Sequence, residues 1–307
     1  MVGFAASIHP IVVLGQAMGQ SNMNQQWPQF IDHVVDRLQS VEGIVAIALG
    51  GSRARGTHTP KSDVDLGLYY QPENPPNLLN LNHLASGLDD NHRTNLITPI
   101  GGWGKWINGG AWLKVEGIPV DFLYRDVAQV IQVINDCHSG QITIDYQPGH
   151  PHGFVSSIYM GEVALGLPLH DPQGVLAALK AKTTPYPAKL KQVTIDKFAW
   201  EISFSLVVAQ KAIARGDVAY AAVCCFRSVA CMNQVLFALN EAYLLNEKGA
   251  VALANGFTLR PLDYQRRIES VFALLAADAE SIKGAIAILD EIERELSQWY
   301  GDRRLAV

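Results

Sequence analysis

Asp63 and Asp65 are two carboxylates one residue apart, eleven residues after the small-residue turn Gly50-Gly51-Ser52. An apolar run, residues 44–49, leads into the turn, and residues 63–70 read as the next strand. Positions i and i+2 of a strand face the same way, roughly 6.5–7 Å apart. That spacing lets both carboxylates reach a shared pair of hard cations, and Mg2+ favours one or two carboxylates with water and substrate phosphates. The glycines let backbone approach a phosphate tail, and a helix after them points its N-terminus at it. Together these parts predict metal-dependent chemistry on a nucleoside triphosphate. Asp121 adds a third acid, flanked by apolar residues in a strand pattern at 118–124. An acid there is costly unless paired or metal-bound. Three carboxylates on adjacent strands suit a two-metal site for in-line phosphoryl displacement.

The residues around the turn divide in role. Ser52 caps the following helix, holds the terminal phosphates, or does both, since a helix N-terminus serves either purpose. Arg53, Arg55 and Lys61 share the loop; one cation near the triphosphate is expected, and the sequence leaves open which. Gly50, Gly51, Ser52, Arg53 and Lys61 form the expected nucleotide-binding set. Trp103, Trp106 and Trp112 lie in or beside a segment with five glycines between 101 and 110. Trp112, in a strand, is expected to fill the core. Trp103 and Trp106 either do the same or form a mobile wall against a base or acceptor ring. Arg227 is the lone charge in a long apolar segment; it either faces the cleft toward a phosphate or makes a salt bridge inside the helical half.

With these residues in view, the chain resembles the DNA polymerase beta-type nucleotidyltransferase superfamily. Gly50-Gly51-Ser52, Asp63-Val64-Asp65 and Asp121 match its motif set. Residues 106–113 leading into Val120-Asp121-Phe122-Leu123-Tyr124 resemble its small stand-alone prokaryotic members, the minimal, aminoglycoside and lincosamide nucleotidyltransferases. The resemblance covers residues 26–137. It implies Asp63, Asp65 and Asp121 as catalytic metal ligands, with Asp121 either ligand or base. It implies Mg2+ as cofactor, ATP or another nucleoside triphosphate as substrate, and a hydroxyl acceptor, small molecule or protein. A thinner likeness at Phe237-Ala238-Leu239-Asn240, Tyr243 and Glu247-Lys248 adds Tyr243 and Lys248 as substrate-binding candidates beside Trp103, Trp106 and Arg227. The implied reaction moves AMP from ATP and releases pyrophosphate. The alternatives are an antitoxin-like member acting on a helical partner protein, and a nucleotide-binding module with little turnover.

The elements that must position these residues follow from length and periodicity. A chain of 307 residues holds two cores at about 100–200 residues per domain. A helix at 27–39, a helix at 78–88, strands at 96–100, 111–116 and 118–124, and a helix at 127–137 complete an α/β (α+β) domain with a small mixed sheet. The polar stretch 139–151 marks a boundary. After it come helical patterns at 154–165, 173–182, 194–215, 217–245, 261–277 and 281–300. The expected layout is an N-terminal extension at 1–22, a nucleotidyltransferase domain at 23–138 and an α-helical bundle at 139–307. For the extension, Met23 is an alternative start, and the opening residues lack the basic start and long apolar core of a signal peptide.

Composition excludes other classes. A net charge of −5 argues against broad nucleic-acid binding. Residues 218–239 are long enough to span a bilayer, but Arg227 in the middle, with Ser228, Asn233 and Gln234, fits a core helix better, so no membrane role is expected. Four cysteines, two of them adjacent (Cys224, Cys225), have no framework spacing, so a reduced, cytoplasmic setting is expected. His150, His152, Cys137 and His138 lack zinc-ligand spacing. No GxSxG elbow or Walker-type loop is present. A homo-oligomer or a helical partner protein remains open.

Overall fold

Side-chain alternation in the strands sorts the central sheet into one apolar face and one mixed face. The computed structural model describes residues 30–301, so the expected extension at 1–22 and the start of the first helix lie outside the described residues. The chain runs α1 (Phe30–Leu38), β1 (Ile44–Leu49), α2 (Gly51–Arg55), β2 (Val64–Tyr70), α3 (Leu78–Leu88), β3 (Gly110–Val115), β4 (Ile118–Asp126) and α4 (Val127–Ser139). A small hairpin, β5 (Ile144–Asp145) with β6 (Phe154–Val155), leads to α5 (Ile158–Leu165), β7 (Leu167–His170) and α6 (Val175–Ala181).

The sheet order is β3-β4-β2-β1-β7. β2 and β4 are parallel, and the other pairs are antiparallel. Val64, Leu66, Leu68 and Tyr70 of β2, with Val120, Phe122 and Tyr124 of β4, share one core with α1 and α3. Period-2 alternation turns Asp65, Gly67 and Tyr69, and Asp121, Leu123 and Arg125, to the opposite face. There α4, α5 and α6 pack over Ala46, Ala48 and Tyr69. Asp65 and Asp121 belong to neither core and are only half-buried.

Three expectations are corrected. Residues 96–100 are not a strand; Thr98 is fastened to β3 by its N–H to the Gly110 carbonyl (2.9 Å) and by its hydroxyl. Residues 154–165 split into β6 and α5, because Phe154 and Val155 pair with β5. The largest change is β7, which pairs with β1 from beyond the expected boundary at 138/139. Pro168 hides this strand, yet at a sheet edge its missing N–H costs no ladder bond.

The remaining chain is helical: α7 (Ala188–Ala209), a 3-10 helix (Gln210–Arg215), α8 (Val218–Leu239), α9 (Ala250–Asn255), α10 (Tyr264–Leu274) and α11 (Ala279–Ser297). α7 and α8 form a hairpin at the centre of a separate core. Asp217 caps α8 by accepting from the Tyr220 N–H at 3.1 Å, as its type and place predict. α8 is long and apolar enough to cross a membrane by length and composition, but 78% of its most apolar window is buried within the protein. Cys137, Cys224, Cys225 and Cys231 are free and buried.

Candidate active site

The turn after β1 is built onto β2. The Gly50 N–H donates to the Asp65 carbonyl at 2.8 Å. Gly51 has φ +60°, and a Cβ there would collide with the Asp65 carboxylate. Only glycine meets both demands without strain. Gly50 occupies the N-cap of α2 with no side-chain cap bond, so the hydroxyl of Ser52 is not the cap. Arg53, expected at the phosphates, is buried and turned inward. Its Nε donates to the Asp63 carbonyl (3.0 Å) and its Nη2 to the Ser62 carbonyl (2.6 Å). It therefore ties α2 to the entrance of β2 and sets where Asp63 emerges. Asp63 itself lies one residue before the strand rather than inside it, and is exposed.

Asp65 and Asp121 are register partners on the parallel pair β2 and β4. Neighbouring strands lie about 4.8 Å apart, so the two carboxylates stand side by side on one face. Burial, then the negative charges of Asp65 and Asp63, push the Asp121 carboxyl up to about 7. Burial, then Asp63, likewise raises Asp65, with Glu162 adding to it. Lys248, exposed and contributed by the helical half, opposes the rise at both acids. Behind them, Arg125 of β4 forms a two-pronged pair with Glu162 of α5 (2.7 and 2.8 Å), which fastens α5 to the sheet.

Among the described residues, no three His, Cys, Asp or Glu side chains are already arranged to hold a metal ion. The donor set nevertheless fits a hard divalent cation. Burial and neighbouring carboxylate charge raise both Asp65 and Asp121, and a bound cation relieves that repulsion.

The other expected residues part company. Lys61 is exposed in the loop before Asp63. Arg55 ends α2 with its Nε and Nη2 buried and without hydrogen-bond partners, and burial lowers its pKa. A guanidinium in that condition lacks an anion, which makes Arg55 the better candidate for a phosphate contact than Arg53. Trp106 is in the core: its Nε1 donates to Asp145 (2.9 Å), and its ring stacks on Phe154 (5.2 Å). Arg227 forms a two-pronged pair with Glu201 (2.6 and 2.9 Å) and donates to His152, within the helical half. Tyr243 donates to the Thr183 carbonyl (2.7 Å) and packs on Tyr186. The polar side-chain groups of all three already have partners inside the protein.

Trp112 reverses its expectation: it is 60% exposed and stacks on Trp103 at 4.3 Å and 13°. Alternation in β3 holds the signal that finds it. Ala111, Leu113 and Val115 face the core, so Trp112 and Lys114 must face the side of Asp121. Gln147, which sequence reasoning passed over, pins the glycine-rich loop by accepting from the Trp106 and Ile107 N–H groups and donating to the Trp103 carbonyl.

The nucleotidyltransferase domain family matches residues 31–134, which contain the Gly-Gly-Ser turn and all three acids. A second family, a domain of unknown function (DUF4037), matches residues 155–248, ending at Lys248. Among curated proteins, none matches the chain. A solved structure of a nucleotidyltransferase-like protein from Exiguobacterium sibiricum is 10% identical, with 89% of this chain and 76% of that one covered at a TM-score of 0.40. Residues 31–134 are a nucleotidyltransferase domain, so the chain carries the glycine turn and the acids of a nucleotidyltransferase.

Proposed function

We propose that the protein moves AMP from ATP onto an acceptor hydroxyl and releases pyrophosphate, with Mg2+ as cofactor. One observation carries the reading: Asp65 and Asp121 stand in register on one face, beside a glycine turn moulded around Asp65. Asp63 and Asp65, with Asp121, would hold Mg2+, which supplies charge stabilisation at the attacking and leaving oxygens. The backbone of Gly51 and Ser52 receives the outer phosphates at the start of α2. Arg55 gives them a cation, and Lys248 brings a second from the helical half. Asp121, on β4, lies on the side of Asp65 away from the glycine turn and receives the proton of the acceptor hydroxyl on a carboxylate oxygen.

Label partition tests this reading. With Mg2+, label from ATP marked at the α-phosphate should reach an acceptor from a panel of hydroxyl compounds and lysate proteins. Label at the γ-phosphate should leave as pyrophosphate. Label passing from the γ-phosphate to an acceptor would make the protein a kinase and defeat the proposal.

Arg55→Gln should raise the Michaelis constant for ATP about tenfold and leave that for the acceptor unchanged, since one charge-assisted hydrogen bond contributes roughly 1.5–3 kcal/mol. Initial rates across both substrate series would check it. An unchanged ATP constant would remove Arg55 from the phosphate site.

A further inference from the structure

On the edge of the sheet beside Asp121 stands an indole surface whose place in the fold nothing so far explains. Trp112 is the direct register partner of Asp121 across β3 and β4. Opposed residues of an antiparallel pair have Cα atoms about 4.5–5.5 Å apart and side chains on one face. Read across the strands, the order is therefore the glycine turn after β1, Asp65, Asp121, Trp112. A nucleotide with its outer phosphates at the turn and its α-phosphorus at the acids leaves the far end of the row, at Trp112, for the acceptor.

The platform is held from both sides. Trp103 stacks on Trp112 nearly in parallel. Buried Gln147 grips the Trp103 carbonyl (2.9 Å), and Trp106 anchors the same loop in the core. Arg93, paired with buried Asp89, donates to the Trp112 carbonyl at 3.0 Å. A Trp side chain offers 150–250 Å2, about, for burial in a core. Here 60% of Trp112 stays in water, on a strand whose inward positions are filled by smaller residues. Trp103 covers one face of that ring, and the part left in water is apolar surface that a further flat partner would cover.

We infer that Trp112 and Trp103 form the acceptor subsite, and that the acceptor carries its hydroxyl on a ring that stacks on the indole pair. This rests on the nucleotidyl-transfer reading. The transfer itself forms a bond from the acceptor oxygen to the α-phosphorus and breaks the bond from that phosphorus to the bridging oxygen. The hydroxyl proton passes to Asp121, and pyrophosphate leaves. A ring lying on Trp112 places a ring hydroxyl over its neighbour Asp121, the alignment that in-line attack requires. A sugar and a phenol share this chemistry.

The test uses the full chain with Mg2+, ATP labelled at the α-phosphate, and three probes: methyl β-glucoside, catechol and the acyclic polyol sorbitol. Label should reach one or both rings and not sorbitol, and which ring takes it separates sugar from phenol. Trp112→Leu and Trp103→Leu should each lower kcat/KM for the ring probe about tenfold while the Michaelis constant for ATP holds. Trp103 lies in a loop, so its variant keeps the test valid if the strand variant fails to fold. Equal labelling of sorbitol, no labelling of either ring, or unchanged acceptor kinetics in a folded variant would overturn the inference. Binding of a fluorescent ATP analogue is measured alongside. Its presence without ring labelling sinks only the acceptor subsite, and its absence sinks the nucleotidyl-transfer reading itself.

Discussion

Asp121→Asn should cut transfer about a thousandfold and at the same time stabilise the metal-free protein at pH 8. The two effects share one cause. Burial and the neighbouring charges of Asp65 and Asp63 raise the Asp121 carboxyl to about 7. In the unfolded chain the same group ionises near 3.9, about its ordinary value. Between those values the folded state holds the proton more tightly, so this group's contribution to stability falls as pH rises from about 4 to 7 and is flat above. Asn carries no charge and removes the repulsion. In EDTA its melting temperature should exceed that of the wild type at pH 8 and converge with it near pH 4–5. Mg2+ should raise the wild-type melting temperature more at pH 8 than at pH 6, and the variant's by less at either pH. Transfer should fall about a thousandfold, since losing a metal clamp costs several kcal/mol of transition-state stabilisation. Thermal melts at the three pH values with and without Mg2+, beside initial rates, check it. A variant less stable than the wild type in EDTA at pH 8 would show that the acids are not in conflict.

Gly51→Ala should lower transfer about a hundredfold while costing only about 1–2 kcal/mol of stability. The stability cost is that of a Cβ at φ +60°, which L side chains disfavour. The larger effect comes from where that Cβ points. It meets the Asp65 carboxylate, so either the turn or the carboxylate must move. Displacement by about 1 Å is enough for a hundredfold loss when the group positions a reaction. Urea melts and initial rates separate the two effects. Gly50→Ala is the control, because a Cβ there makes only ordinary contact with Asp65, at 3.6 Å. Equal loss in both variants would mean that the turn acts through flexibility rather than through its fit to Asp65.

Much of the sheet was legible because its strands alternate cleanly. Val64, Leu66, Leu68 and Tyr70 face inward, so the placement of Asp65 on the other side follows from the pattern alone. The parallel pairing that sets Asp65 beside Asp121 joins strands separated by α3 and β3, so periodicity leaves no mark of it; the chemistry of a shared metal site is what placed the acids on adjacent strands. What escaped did so for physical reasons. β7 contains a proline and sits past a polar stretch, so its edge pairing left no local mark. Arg53 and Arg55 are alike in sequence, two residues apart, and only the fold turns one onto backbone carbonyls and leaves Nε and Nη2 of the other buried without hydrogen-bond partners. Arg227 looks free in an apolar segment and Tyr243 follows just beyond it, but Glu201 and the Thr183 carbonyl reach them from elsewhere in the chain. Trp112 was misread because residue type outweighed alternation: a tryptophan in a strand suggests core, whereas its place between Ala111 and Leu113 fixes it outward.

The most direct test of the account is the Mg2+ dependence of transfer in Asp65→Asn. Asp65 is held by Gly50 through its backbone, by Gly51 through van der Waals contact and beside Asp121 by register, so no residue is more central to the site. Label transfer from α-labelled ATP should require Mg2+ in the wild type. In Asp65→Asn it should fall about a thousandfold at saturating Mg2+, with the melting temperature in EDTA unchanged or higher. Wild-type rates in a folded Asp65→Asn protein would contradict the account.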